Sequence, residues 1–523
     1  MEWIYSGSSR VRKYSATRFG PSFKGCFITF VVLVVSLCSH AQQLIWSEPT
    51  SNNRAIERVQ AVAKSDSVVH VIEERENHEL RWICYQWNNL NILKSADIKL
   101  DDEDMVLEHF FILNDTLQII CTRWNNETDC TEVFAMRFGI DGKRLGESVW
   151  VHKRSETSRP RRSGVQCMLS PDSSLFLVYF DSDNERKQTE GIHFKCYRNN
   201  WEPVWEKELR LPPSIEIIQV HQFLLDNAGG VYLMSGREPI KTSSEWQRSQ
   251  GGQYVVYYYN AAQNKLKQYD ISLKDKQVIS VKFMLDESSR VIIAGYYSED
   301  FQNRVSGTLL FSIQAFGGPI IRAAYTPFDA AFLKEMSGEE KGTLDDYYLD
   351  HIRLAPSGDI VLAGEQYFTS RYITNDPTTG RQIVEYRYNY HDVMVCMMDT
   401  TGVHKWNVCV PKRQFSSSMN DPNFSYGFAP DATSIVLLFN DDPANNTSNE
   451  RRNGREPEVW AGNKNCVTTR VVIDHSGSVS RKTVVENNTD RLLFNPLMHP
   501  ATDWSMSLLG FNDKRTYKFC RVL

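Results

Sequence analysis

The sequence predicts an all-β fold, a single β-propeller of four-stranded antiparallel blades, eight in number with seven as the alternative. Three observations predict it. A polar turn followed by a strongly apolar run recurs eight times along the chain. The runs are short and rich in Val, Ile, Leu and Tyr, which suits buried strands better than helices. The last copy stops after its third strand, while an isolated Trp-bearing strand stands near the opposite end of the chain.

The recurring turn and strand read KSDSVVHVIE (64–73), LNDTLQIICT (113–122), SPDSSLFLVYF (170–180) and DNAGGVYLMSG (226–236). They continue as DESSRVIIAG (286–295), APSGDIVLAG (355–364), APDATSIVLLF (429–439) and HPATDWSMSLLG (499–510). Asp, Asn, Pro, Ser and Gly reverse a chain at low cost. A third and a fourth strand follow in FAMRFGIDGKRLGESVW (134–150), IHFKCYRNNWEPVWEKEL (192–209), VMVCMMDTTGVHKWNVCV (393–410) and TTRVVIDHSGSVSRKTVV (468–485). The unit is therefore a meander of strands A to D. It recurs at intervals of roughly 50–75 residues, longer than the ~40–50 usual for propeller repeats. Residues 43–48 are expected to supply the missing strand D of the last blade and leave no open edge there.

Five basic residues (Arg10, Arg12, Lys13, Arg18 and Lys24) precede the apolar run Cys26–Cys38, and Ser39 and Ala41 stand where a cleavage site needs small residues. Residues 1–41 thus read as a signal peptide and 42–523 as the propeller domain. The expected location is exported: periplasmic, extracellular or cell-surface. The chain has 59 basic against 64 acidic residues, a net charge of −5, with 41% hydrophobic and 24% charged residues. That balance excludes collagen, a disordered chain and a polytopic membrane protein, and gives no field to draw nucleic acid. A monomer with no membrane span in the exported chain is expected.

The segment DVMVCMMDTTGVHKWNVCV (392–410) resembles the repeats of bacterial secreted β-propeller proteins, in which an apolar strand, Asp-x-x-Gly and a Trp-bearing strand follow one another. It is also loosely similar to the tryptophan-docking repeat of quinoprotein dehydrogenases. The resemblance is architectural and implies fold, not activity. The quinoprotein form needs the Trp motif in most blades and often a vicinal cysteine pair. Here only Asp399–Trp406 comes near it and no Cys-Cys occurs, so no cofactor is expected.

Cys84, Cys196, Cys396 and Cys520 fall at equivalent places in strand C and read as small packing residues. The tryptophans of strand D (Trp150, Trp205 and Trp406) read the same way. Cys121 and Cys130 flank a short connection and are the disulfide candidates. No spacing suggests a metal site, and there is no G-x-S-x-G, H-E-x-x-H or P-loop to suggest a catalytic set.

The A–B and C–D turns are short, whereas the B–C connections are long: 181–191, 236–253, 297–306, 366–391 and 440–465. A long D–A connection, 326–348, contains a possible helical turn at 329–336. In a meander propeller both kinds of connection emerge on one face, and loops this long usually carry function. Their candidate binding residues are Arg237, Glu238 and Trp246 of the fourth blade and Tyr297, Glu299 and Asp300 of the fifth. Glu365, Arg371 and Tyr372 of the sixth and Asp441, Asp442 and Trp460 of the seventh complete the set. Tyr, Trp and Arg carry much of the energy at interfaces, and aromatics among carboxylates suit sugars. The expected function is an exported binding protein that holds a protein or glycan on this face. One alternative is a glycan hydrolase or lyase whose paired carboxylates sit at the pore mouth. The other is a structural component of the cell envelope.

Overall fold

The computed structural model describes residues 44–522 apart from internal gaps, of which 156–163, 181–190, 211–217, 238–252, 447–456 and 495–506 are the longest. The expected signal peptide, Glu238, Trp246 and Asp300 lie outside the described residues.

The chain is a β-propeller. Among the described residues eight sheets carry a path of four antiparallel strands, at 56–98, 106–155, 165–210, 218–271, 277–327, 347–410, 427–486 and 493–522, and a small two-stranded sheet pairs Arg304–Val305 with Leu344–Asp345. In the first seven, the strands follow one another in chain order. The eighth takes its fourth strand from the other end of the chain: Leu44–Trp46 runs antiparallel to Thr516–Val522, with Leu44 opposite Val522 and Trp46 opposite Cys520. Thr50–Ser51 pairs with the same strand farther along.

The apolar faces of these sheets pack on one another in sequence. Trp82 and Cys84 of the first meet Leu117 and Phe138 of the second. Ile120 and Val133 of the second meet Phe176 and Val178 of the third. The same pattern links third to fourth, fourth to fifth, fifth to sixth and sixth to seventh. Leu438 of the seventh then meets Cys520 of the eighth, and Tyr517 and Phe519 of the eighth meet Val71 and Tyr85 of the first. The apolar faces thus pack from each sheet to the next, and the eighth sheet also packs on the first. First strands of neighbouring sheets touch at the first four junctions and again between the fifth and sixth, which puts these strands at the centre. Fourth strands such as Ile92–Ile98 and Ile320–Pro327 are largely exposed and lie outermost.

The strand C cysteines, Cys84, Cys196, Cys396 and Cys520, are all buried in this packing between sheets. The strand D tryptophans divide. Trp205 and Trp406 pack partly against the next sheet, but Trp150 is 54% exposed beneath the ammonium of Lys195, because its side chain lies on the outer, solvent face. The docking of Trp406 explains the Asp-x-x-Gly turn. Asp474 accepts hydrogen bonds from the N–H groups of Ser476 and Ser478 and pins the turn, while Gly477 adopts φ +83°. A Cβ there would lie 2.9 Å from Cγ of Trp406, whose indole N–H donates to the carbonyl of His475. A bare glycine lets one sheet's outer tryptophan lie on the next sheet's turn.

Cys121 and Cys130 do not form the expected disulfide; both are free and buried. Strand register is the reason. Cys130 sits opposite Asn125 and Cys121 opposite Phe134. The two are offset by four positions, ~13 Å along the ladder, well beyond the ~7 Å a disulfide can span. Among the described residues no helix is long and apolar enough to cross a membrane. The helical turn expected at 329–336 is a helix, Ala330–Ser337, with the Asp329 carboxylate accepting the Phe332 N–H at 2.8 Å and Phe332 and Met336 buried.

Candidate binding face and its cavity

Because strands alternate in direction, the D–A and B–C connections gather at one end of the sheets. One feature there corrects the sequence reading. Of the stretch 366–391, expected as a loop, residues 366–375 and 382–391 form a β-ribbon. Strands Ile360–Asn375 and Gln382–Met398 continue their pairing far past the sheet, with Asn375 opposite Gln382. The sequence supports this, since YFTSRYIT and QIVEYRYNY are made of β-branched and aromatic residues. Their inner halves are buried in the sheet, and a shift of register between Glu365 and Tyr367 marks where the ribbon leaves it. Such a bulge redirects a strand.

A two-stranded ribbon alone is marginal in water. This one is braced at its base by a third strand, Gln414–Ser416, which pairs with Tyr388–Tyr390. Arg387 also lies over the rings of Tyr372 and Phe415, at 4.3 and 4.8 Å. Beyond the brace, Ile373 (56% exposed), Val384 (41%) and Tyr386 (49%) share one face of the ribbon. Tyr372 and Ile383 lie on the other, 40% and 42% exposed.

A cavity of about 240 Å³ opens at the ribbon's base, lined by Tyr348, Asp350, Glu365, Tyr367, Tyr390, Asp421, Phe424 and Ser425. Asp350 is carried by a bulge in the central strand Tyr347–Leu354: Leu349 faces Gly364 and His351 faces Ala363, so Asp350 has no opposite residue. Alternation along a regular strand would not place it this way. The Tyr426 hydroxyl donates to its Oδ2 at 3.0 Å. Glu365 is buried and ion-paired with the fully buried Lys412, and the Ser425 hydroxyl donates to its Oε2 at 2.8 Å. The Lys412 ammonium also donates to the Tyr390 carbonyl at 3.1 Å and to Gln414 Oε1 at 3.0 Å.

Burial, together with the nearby Glu365 charge, raises the Asp350 carboxyl to about 7; Tyr426, Lys282 and Lys412 act in the opposite sense. Burial also raises Glu365, against the pull of Lys412 and Ser425. Asp421 is held in a turn, accepting from the Asn423 backbone N–H and side-chain amide, both at 3.1 Å.

The structure divides the residues singled out in the sequence. Glu365 lines the cavity. Arg371 and Tyr372 are exposed on the ribbon. Glu299 is exposed and ion-paired with Lys276 at 2.9 Å. Asp442 is half-buried and its Oδ1 accepts the Ala444 N–H. Arg237 ends the strand Val231–Arg237. Three others are packing residues rather than part of an exposed surface. Tyr297 is fully buried between the fourth and fifth sheets. Trp460 is fully buried, stacked on Phe424 with centroids 4.7 Å apart. Asp441 is buried in an ion pair with Arg481 and accepts from the Asn445 amide, which anchors the short helical turn Pro443–Asn446. The sequence reading missed Asp350, Lys412, Asp421 and Tyr426. Nothing in the sequence of its own strand signals the bulge that places Asp350.

No protein-family model matches the chain, and no curated protein does. Among solved structures it is similar to the Dos1 propeller, at 8% identity over 91% of this chain and 95% of that one, with a TM-score of 0.42. It is similar to the β-propeller domain of the Trilobed protease from Pyrococcus furiosus, at 9% identity over 84% and 98% with a TM-score of 0.36. The polysaccharide lyase Uly1 matches at 10% identity over 91% and 99%, with a TM-score of 0.39. A prolyl endopeptidase matches over 74% of this chain but only 54% of its own length. Two of these are propeller domains by description; the likeness carries nothing about activity.

Proposed function

We propose that the chain is an exported binding protein that holds a protein partner on the face bearing the long connections, with the ribbon 366–391 as the principal contact. The observation that carries this reading is the ribbon's exposed end, where Tyr372, Ile373, Ile383, Val384 and Tyr386 stand in solvent on a braced scaffold. Exposed apolar and aromatic side chains gathered on one rigid element are costly to keep in water and are typical of interaction surfaces. The open edges of a ribbon also allow a partner strand to add by main-chain hydrogen bonds. Replacing residues 371–386 by a two-residue Asn-Gly turn keeps the braced base and removes the exposed end. Proximity labelling in the native host, wild type against this variant, tests the reading. Loss of a defined set of labelled proteins with unchanged thermal stability is expected. An identical set from both chains would refute it.

A second reading, a glycan-processing enzyme, is favoured by one observation: Asp350 and Glu365 line the same cavity, and the first is raised to about 7. It predicts turnover of a polysaccharide that Asp350→Asn abolishes. Substrate screening with no turnover by wild type would remove it.

A further inference from the structure

The cavity at the ribbon's base has a chemistry of its own, independent of what the ribbon holds. We propose that it is a binding site for the ammonium head of an organic amine the size of a lysine side chain. Three features of the wall lead there.

The first is charge. Asp350, Glu365 and Asp421 all line the cavity. The ammonium in contact with this wall, Lys412, is committed to Glu365, the Tyr390 carbonyl and Gln414. Carboxylates therefore outnumber cations at the cavity.

The second is hydrogen-bond polarity. Oδ2 of Asp350 receives the Tyr426 hydroxyl, and Oδ1 has no hydrogen-bond donor among the described residues. The Ser425 hydroxyl is already spent on Glu365. The charged groups left to a ligand are acceptors. An ammonium offers three donors and no acceptor, which matches them.

The third is the aromatic wall. Tyr348, Tyr367, Tyr390 and Phe424 surround the carboxylates. Ring faces attract a cation by ~0.5–2 kcal/mol and shelter the methylenes behind it. At about 240 Å³ the cavity is smaller than the ~300–1,000 Å³ of drug-sized sites. It suits a head group with a short chain, and not an oligosaccharide.

A bound cation would favour the ionised form of Asp350. Around that group stand Glu365 on the neighbouring strand, Lys282 on the fifth sheet's first strand, Lys412, and the buried hydroxyls of Tyr426 and Tyr296. None of these supplies a free cation within the cavity wall. Binding and proton release are then linked. An amine binds the ionised form and takes up no proton itself, so affinity is highest above about pH 7 and falls as Asp350 protonates below it.

The test is isothermal titration calorimetry of the whole purified chain with n-butylammonium and with Nα-acetyl-lysine amide. Wild type is expected to bind both, about tenfold more tightly at about pH 8 than at about pH 6, with proton release seen as a dependence on buffer ionisation enthalpy. Asp350→Asn is expected to weaken binding at least about tenfold and abolish the proton release. Tyr348→Ala, at a residue 48% exposed, weakens it several-fold without loss of folding and keeps the test valid if Asp350→Asn proves unstable. No heat from either amine at about 10 mM would overturn the proposal. So would tighter binding of a neutral hexose, which favours the glycan reading, or an unchanged affinity in both variants.

Discussion

Lys412→Met isolates the ion pair behind the cavity wall. The Lys412 side chain is fully buried and that of Glu365 is 6% exposed, so the substitution leaves a carboxylate in a dry site without its counter-charge. Breaking a buried pair from one side costs ~3–5 kcal/mol. Roughly 480 residues lie between Leu44 and Val522, and at ~2.1 cal/mol/K per residue the unfolding entropy is about 1 kcal/mol/K. The expected fall in Tm is therefore ~3–5 °C near neutral pH. Two further measurements fix the cause. Adding Glu365→Gln removes the stranded charge and should recover part of the loss. It cannot recover all of it, since the Tyr390 carbonyl and Gln414 have also lost a donor. Gln414 keeps the Ser425 N–H, which limits that remainder. Lowering the pH toward about 5 should shrink the deficit of the single variant, because burial already raises Glu365 and loss of Lys412 raises it further. Differential scanning fluorimetry across pH reads all three. A fall under about 1 °C, or a double variant no more stable than the single, would refute the buried pair.

Asp350→Asn is expected to flatten the dependence of stability on pH. The unfolded carboxyl ionises near 4 and the folded one at about 7, so the native state holds the extra proton between these values. Wild-type stability therefore falls as pH rises from about 4 to about 7, and the variant lacks this contribution; a difference curve of the opposite sign would contradict the burial of Asp350. Gly477→Val combines a strained φ with a Cβ 2.9 Å from Trp406, and is expected to cost ~2–4 kcal/mol, measured as a lower Tm and a changed tryptophan emission. Alkylation of the denatured, unreduced chain followed by mass spectrometry should label both Cys121 and Cys130; recovery of a disulfide-linked peptide would overturn the four-position offset between them.

Much of the fold was legible because it is written in local, repeated chemistry. Asp399-Thr-Thr-Gly402 makes its turn through its own side chain, with Asp399 accepting from Thr401 and Val403. The short apolar runs could only be strands, and the strand C cysteines recurred in phase. Even the contact between the two ends could be anticipated, because an incomplete last copy and a lone Trp-bearing strand imply each other. The reading failed where a neighbour decides. Nothing local shows that 366–391 keeps pairing beyond the sheet, since one strand's β propensity does not say whether a second is in register. Trp460 and Tyr297 have the composition of binding residues, and only packing reveals them as core.

The candidate site was legible in Glu365, whereas Asp350, Tyr426 and Lys412 are brought to it by backbone irregularity and by the next sheet. A bulge turns Asp350 toward the cavity, Tyr426 arrives from just before the seventh sheet, and Lys412 comes from the segment after the sixth. The sequence by itself determined most of the strands and their turns, which depend on residues close in the chain. The tertiary structure decided which connection became a ribbon and which carboxylates share a wall. Both depend on register and on burial between sheets, interactions whose partners lie up to 76 residues apart, as Tyr426 and Asp350 do.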